Sequence, residues 1–457
     1  MGAAPGSRRK SEVSPAPDVL GGQVRSIVQR EISAGATLVV GLSGGIDSVV
    51  LLHVLVRRLR IAPARISAIH VNHQISPHAG RWAAFCRRLC RELGVKLRVV
   101  KVDVPRGNST EAAARAARYA VFAASGADVL MLAHNRDDQA ETVLLQLLRG
   151  AGPRGLAGMP VLRAAATGMP PVLRPLLGVP RKTIAAHAQR YRLQWVEDDS
   201  NRDPAYLRNF LRHQVIPGIE RKVPGAGATL ARAARHQAEA SDLLDALAAQ
   251  DLGGASGIRM CRLPLALLRP LAPYRARNAL RYFLRCNDLL MPDADRLDEL
   301  LRQALTARAD AQVRVELDGV GLRRFQDALY LFRPLPRLSA TFEQAWNGRG
   351  VLALPQLGGS LRLERGTGVG IAADVLRSAL LVVRVRRGGE MLRLAQGGRR
   401  RTVRNLLQEA AMPPWLRERL PFLYVGDELA AVPGLGIEAK FQANADESGL
   451  QPLWLPD

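Results

Sequence analysis

Six residues, Ser43-Gly44-Gly45-Ile46-Asp47-Ser48, stand between a β-branched run, Thr37–Gly41, and a segment of helical spacing, Asp47–Leu59. Glycines let the backbone turn until successive N–H groups point inward. A helix N-terminus adds partial positive charge, so the loop reads as a phosphate cradle. It is not a Walker A loop, because no lysine follows the glycines. A carboxylate, Asp47, sits in the cradle instead. An anion beside bound phosphate is unfavourable unless a divalent cation lies between them, and Mg²⁺ is the natural candidate. The plainer reading, a tight turn with Asp47 as an ordinary first-turn acid, fits the order of strand, double glycine and helix less well.

A second segment, His134-Asn135-Arg136-Asp137-Asp138-Gln139-Ala140-Glu141-Thr142, opens another helix. Asp137 and Glu141 are one turn apart and share a face, while Asp138 lies about 100° round. Acids enrich first helical turns because they complement the dipole, so each has an unremarkable explanation. Three acids and a histidine at a crevice mouth also suit a metal or a cationic substrate such as an amino acid ammonium. His70 and His73 follow a strand into the same crevice and are further substrate candidates, or simply satisfied loop histidines.

The elements that must position these groups alternate. Ile66–Val71, Lys96–Val102 and Asp128–Ala133 read as strands; Arg81–Leu93, Glu111–Ala124 and Asp137–Leu148 read as helices. Such alternation predicts an α/β domain with a doubly wound parallel sheet over 19–220, and ligands in such sheets bind beyond the carboxyl ends of the strands. From about 225 the chain changes to long helices, Ala226–Gln250, Tyr274–Leu290 and Ala294–Ala307, then short strands around Val313–Phe332. That predicts a mainly helical domain over 225–335. A Gly/Pro-punctuated stretch, Pro334–Gly370, reads as a linker to a small α+β domain over 376–457 containing one helix, Val403–Ala410. Residues 1–18, small, polar and Pro-rich, read as a disordered tail.

The chain has 457 residues, enough for about three domains at roughly 150 residues each. Its 47% hydrophobic and 23% charged residues suit a folded protein. No apolar run is long enough to span a bilayer, so a cytoplasmic location without membrane association is expected. Against 41 acids stand 65 Lys and Arg, a net charge of +24 that draws polyanions and puts nucleic acid first among partners. Lysine occurs only six times, so an Arg-favouring genome explains part of the excess. The four cysteines, Cys86, Cys90, Cys261 and Cys286, form no Cys-x-x-Cys and are too few for a disulfide scaffold; Cys86 and Cys90, four apart on one helix, read as buried thiols.

The loop at 43–48 resembles the PP-loop ATP pyrophosphatase superfamily, whose signature is Ser-Gly-Gly-x-Asp-Ser and whose members adenylate a substrate. With the His134–Thr142 segment, the chain resembles the tRNA(Ile)-lysidine synthetase family. Further matching segments are His70-Val71-Asn72-His73, Arg118-Tyr119, Arg174-Pro175-Leu176-Leu177 and Trp195-Val196-Glu197-Asp198-Asp199-Ser200-Asn201, then Tyr206-Leu207-Arg208-Asn209-Phe210-Leu211-Arg212. Near the C-terminus, Val385–Glu390, Val403–Glu409 and Pro413–Arg417 match as well. Two positions depart: Gln74-Ile75-Ser76 stands where the family has Gly-Leu-Arg, and Asn135 where it has a second histidine.

The resemblance implies ATP-dependent ligation of free L-lysine to C2 of the wobble cytidine of the CAU-anticodon isoleucine tRNA, through an adenylated cytidine. It carries ATP binding onto Ser43, Gly44, Gly45, Ile46, Asp47 and Ser48, with Asp47 placing Mg²⁺. It makes Asp137, Asp138 and Glu141 candidates for the lysine ammonium or a metal. Arg208 is left among lysine carboxylate, cytidine and phosphate, or a solvated arginine; His70, His73, His134 and Arg118 are substrate candidates. Leu381–Arg404 holds eight arginines and one acid, a solvated face by default. Because the family reads tRNA beyond the anticodon loop, Arg386, Arg387, Arg399, Arg400, Arg401 and Arg404 become acceptor-stem candidates. The alternatives are a 2-thiolating PP-loop enzyme, which needs a reactive cysteine pair or a Cys-bound cluster, and an amidotransferase-type synthetase, which needs an ammonia source. Oligomeric state is open, a homodimer among the options.

Overall fold

The computed structural model describes residues 18–104, 110–165, 168–197, 207–254, 262–306, 314–317, 319–332, 335, 338, 339, 341–378 and 380–456. The expected tail up to Ala16 and Pro17, the Asp198–Asn201 run, Tyr206 and Cys261 lie outside them. The chain divides into two compact units, Met1–Leu244 and Asp245–Asp457.

The first unit runs α1 (Val19–Glu31), β1 (Leu38–Gly41), α2 (Ile46–His53), β2 (Ile66–Asn72), α3 (Ala79–Leu93), β3 (Lys96–Lys101), α4 (Thr110–Ala123), β4 (Val129–Met131) and α5 (Arg136–Leu148). It continues with α6 (Pro153–Leu156), β5 (Leu162–Arg163), β6 (Val172–Leu173), α7 (Arg181–Arg190), α8 (Leu207–Phe210), α9 (Ile216–Lys222) and α10 (Ala226–Asp251), which crosses into the second unit. Short π-helical turns extend α2 through Val54–Arg58 and join α8 to α9 through Leu211–Val215. The six strands lie in the order β3-β2-β1-β4-β6-β5. All neighbours are parallel except β5 with β6, so the sheet is mostly rather than wholly parallel, a correction to the sequence expectation. Only residues 164–171 connect β5 to β6, too few for the long crossover that a parallel neighbour needs.

Alternation along β1 explains why both faces are covered. Leu38 and Val40 enter a core formed with α1, α2, α3 and α7, including Val24, Leu51, Cys86 and Ile184. Val39 turns the other way, into a core with Ile69, Phe122 and Leu130. Cys86 and Cys90 are thiols of the first core, as the sequence suggests; burial pushes Cys86 up to about 12 and Cys90 up to about 11, far from thiolate at neutral pH.

The second unit departs further from expectation. Its first part packs the end of α10, α11 (Pro273–Cys286) and α12 (Ala294–Thr306) on an antiparallel sheet of β7 (Arg262–Pro264), β8 (Arg314–Leu317), β9 (Val320–Phe325) and β10 (Ala328–Phe332), so the helical region expected there also carries a four-stranded sheet. The stretch read as a linker carries β11 (Glu343–Trp346), β12 (Val351–Leu354) and β13 (Gly359–Thr367). The remainder runs β14 (Ile371–Ala372), α13 (Ala373–Ser378), β15 (Leu381–Arg384), β16 (Met391–Leu392), β17 (Arg401–Thr402), α14 (Val403–Glu409), α15 (Pro414–Arg417), β18 (Phe422–Val425), β19 (Glu428–Val432), β20 (Gly436–Ile437) and β21 (Ser448–Pro456). β11 pairs with β15 and β13 pairs along all of β21, so the strands before 376 belong to the C-terminal sheets.

Candidate active site

The loop after β1 enters α2 through Gly45, an N-cap residue with no side chain to cap the helix. The loop is held from within: Ser48 Oγ accepts from Gly44 N–H at 3.2 Å and donates to the Gly45 carbonyl at 2.9 Å, and Ser43 Oγ accepts from Gly45 N–H at 3.2 Å. Gly44 has φ +90°, and a Cβ there would stand 2.8 Å from Val196 Cγ2 and 3.2 Å from Cys86 Sγ. Glycine is therefore required by both backbone and space. Val196 N–H also donates to the Gly44 carbonyl at 3.0 Å, so the Trp195-Val196 segment braces the loop.

The cradle opens on a cavity of about 770 Å³ beyond the carboxyl ends of β1, β2 and β4. Its lining brings together Ser43, Gly45, Asp47, Ser48, His70, His73, His134 and Arg118; Gly44 and Ile46 form the loop without lining the cavity. Tyr119, under the guanidinium of Arg115, forms part of the same wall.

Asp47 is pushed above the usual carboxylate range, first by burial and then by the negative charge of Asp138. Its Oδ1 accepts from Asn135 Nδ2 at 3.0 Å, and neither oxygen makes an ion pair among the described residues. A desolvated carboxylate without a cation, facing a phosphate cradle, is a donor that suits Mg²⁺, which characteristically takes one or two carboxylates together with phosphate oxygens and water. No group of three or more His, Cys, Asp or Glu that could hold a metal occurs among the described residues, so an all-protein metal cage is not the fit.

The histidines are neutral. His70 Nδ1 lies 2.9 Å from the Leu42 carbonyl and so carries the proton, and burial lowers its pKa. His73 is lowered by burial and by Arg118, and His134 to about 4 by burial. The Nδ1 atoms of His73 and His134 are buried with no hydrogen-bond partner among the described residues, and both residues line the cavity.

Asp137, Asp138, Glu141 and Arg208 do not line the cavity. They form an adjoining cluster completed by Arg212, which the sequence reading did not single out. Arg212 Nε lies 2.5 Å from Glu141 Oε1 and its Nη2 lies 2.8 Å from Asp138 Oδ1; Arg208 Nε lies 2.9 Å from Glu141 Oε2. Asp137 stands apart, accepting only the Arg181 backbone N–H, at 3.3 Å, among the described residues. Asn135, read as a departure, caps α5: its Oδ1 accepts from Asp137 and Asp138 N–H, and Asp138 Oδ2 accepts the Asn135 N–H in return. Two opposed pairs make this cluster close to neutral, Asp138 and Glu141 against Arg208 and Arg212.

In the second unit the basic stretch separates into two kinds of arginine. Arg384 and Arg387 pair with Glu343, Arg401 with Glu409, and Arg386 lies 4.0 Å from Glu390. Arg399, Arg400 and Arg404 are exposed and make no ion pair among the described residues.

Comparison with known proteins agrees with this division. A PP-loop domain model matches residues 22–219, a TilS substrate binding domain model 263–330, and a TilS substrate C-terminal domain model 381–454. A tRNA(Ile)-lysidine synthase of Nitrosomonas europaea is 40% identical over 433 residues, covering 94% of each chain. The chain belongs to the tRNA(Ile)-lysidine synthase family. Another tRNA(Ile)-lysidine synthase, from Chromobacterium violaceum, is 43% identical over 434 residues, covering 93% of this chain and 97% of the relative. Among solved structures, a crystal structure of a TilS C-terminal domain matches at 24% identity and a TM-score of 0.21, over 25% of this chain and 98% of that one. The family's ATP-binding domain thus carries the loop and cavity, and its two further domains carry the antiparallel sheets. No helix of the described residues is long and apolar enough to cross a membrane.

Proposed function

We propose that the chain ligates free L-lysine to C2 of the wobble cytidine of the CAU-anticodon isoleucine tRNA, releasing AMP and diphosphate. The observation that carries this reading is the meeting of the Ser43–Ser48 cradle and the half-buried Asp47, which makes no ion pair among the described residues, at one cavity in a chain of this family. ATP lies with its phosphates over the first turn of α2, where backbone N–H groups and the helix dipole favour negative charge. The C2 oxygen of cytosine attacks the α-phosphorus and diphosphate leaves. The ε-amine of lysine then attacks C2, AMP leaves with the oxygen, and the amine loses its proton. The cradle stabilises charge developing on the phosphates without reorganising, and the cavity aligns nucleotide and base.

Asp47 is the residue that would hold Mg²⁺, which when bound would neutralise charge on the phosphates. His73 and His134 present bare Nδ1 atoms, so they suit hydrogen-bond donors on the substrates; His134, lowered to about 4, is too weak a base to retain a proton at neutral pH. Asp138 and Glu141 are already neutralised by Arg208 and Arg212, so Asp137 is the acid we assign to the lysine ammonium. Arg399, Arg400 and Arg404 are the residues best placed to meet tRNA phosphate. The buried, unactivated Cys86 and Cys90 favour ligation over sulfur transfer.

The test is tRNA-dependent exchange of labelled diphosphate into ATP. It should require the isoleucine transcript, and Asp47→Ala should abolish it while tRNA binding persists. Exchange retained by Asp47→Ala would contradict the assignment.

A further inference from the structure

Asn135 is 2% exposed and lies between two helices that the sequence separates by almost ninety residues. Its orientation is fixed by chemistry. Oδ1 accepts two backbone N–H groups, from Asp137 at 2.9 Å and Asp138 at 3.1 Å, so Nδ2 must face the other way, and there it donates to Asp47 Oδ1 at 3.0 Å. Asp138 closes the arrangement: Oδ2 accepts the Asn135 N–H at 3.0 Å, and Oδ1 receives Arg212 Nη2 at 2.8 Å. An unbroken run of hydrogen bonds therefore leads from Arg212 through Asp138 and Asn135 to one oxygen of Asp47. The other oxygen, Oδ2, has no protein partner among the described residues.

We infer that Asn135 is a positioning residue for Asp47: its side-chain amide pins Oδ1, so that Oδ2 is presented to a divalent cation bound with the nucleotide phosphates. The inference rests on the reading of Asp47 as the Mg²⁺ ligand. A carboxylate free to rotate would bind the same cation at an added entropic cost, whereas partners of this kind are typically worth about tenfold to a hundredfold in metal affinity.

Helix capping alone also explains an asparagine here, and a second capping residue separates the two roles. Serine and threonine cap a helix about as well as asparagine but are too short to carry a donor to Asp47. The measurement is the Mg²⁺ concentration at half-maximal binding of ATP to the full chain, with ATP binding in EDTA and the thermal midpoint as controls. For Asn135→Ser, with Asn135→Thr as the second capping variant, the half-saturating Mg²⁺ concentration should rise by about tenfold or more while both controls hold. An unchanged Mg²⁺ requirement in a folded variant would overturn the inference and leave Asn135 a cap. Asp47→Ala separates the two levels: if it shifts the Mg²⁺ requirement and Asn135→Ser does not, positioning alone fails. If Asp47→Ala leaves the requirement unchanged, the metal-ligand reading fails and the inference with it.

Discussion

Arg212 lies across Glu141 as a fork, with Nε 2.5 Å from Oε1 and Nη2 2.9 Å from Oε2. The Glu141 side chain is only 2% exposed, so its charge is tolerable because two guanidiniums meet it there. The pairing joins α5 to the π-turn after α8. Replacing Arg212 by Met leaves the buried carboxylate with Arg208 alone, and the first unit should lose about 3 kcal/mol of stability in urea unfolding. Combining Arg212→Met with Glu141→Leu should restore more than half of that loss, because the uncompensated charge is removed with its partner.

Gly44→Ala should weaken ATP binding with little effect on tRNA binding. The new Cβ meets Val196 at 2.8 Å, and its residue must hold φ +90°. Backbone strain of this kind costs on the order of 1–3 kcal/mol, or about fivefold to 150-fold in affinity if it is relieved by deforming the loop. Titration with labelled ATP reads the loss.

His53 Nδ1 and His187 Nε2 share one hydrogen bond at 3.0 Å, both rings buried against Tyr191. Burial, then the neighbouring His187, holds His53 down at about 4, and burial lowers His187. In the unfolded chain both titrate near 6.5. Between those values the unfolded state binds more protons, so stability is full above about pH 6.5 and falls as pH drops towards 4, by up to about 3 kcal/mol for His53. The urea midpoint of a His53→Gln/His187→Gln variant should fall less steeply over that range than that of the parent chain.

The unpaired arginines should carry the salt dependence of tRNA binding. Replacing Arg399, Arg400 and Arg404 by Ala should reduce the slope of log affinity against log salt by about two to three, one phosphate contact each. Replacing Arg384 and Arg387, which are held by Glu343, should change it by less than about one. Fluorescence anisotropy with tRNA across a salt series measures both.

Local chemistry was legible in the sequence and long-range pairing was not. Ser43–Ser48 declares itself because double glycine, strand and helix are contiguous, and β1 to α5 follow period-two and helical spacing within short windows. The alternation could not show that β5 runs against its neighbour, since a two-residue strand has no period. Glu343–Trp346 and Gly359–Thr367 looked like linker because glycine and proline interrupt them, yet they are strands whose partners lie about forty and ninety residues away. Gln74, noted only as a departure from the family's glycine, adopts φ +56°, the left-handed backbone that glycine would take without strain. Arg212 was not singled out and Asn135 was noted only as a departure for the same reason as the linker strands: their partners, Glu141 and Asp47, lie far off in the chain. The +24 charge was legible as a total, but only the ion pairs separate the neutralised Arg384, Arg387 and Arg401 from the exposed Arg399, Arg400 and Arg404.

The central claim is lysine transfer to cytidine C2, and its most direct measurement is mass spectrometry of nucleosides from isoleucine CAU transcript incubated with the protein, ATP, Mg²⁺ and isotope-labelled lysine. The account predicts a labelled lysine-bearing cytidine at the wobble position, formed with one AMP per modified tRNA and absent when ATP is omitted. Unmodified cytidine at that position, or incorporation of sulfur or ammonia in place of lysine when those donors are supplied, would contradict it.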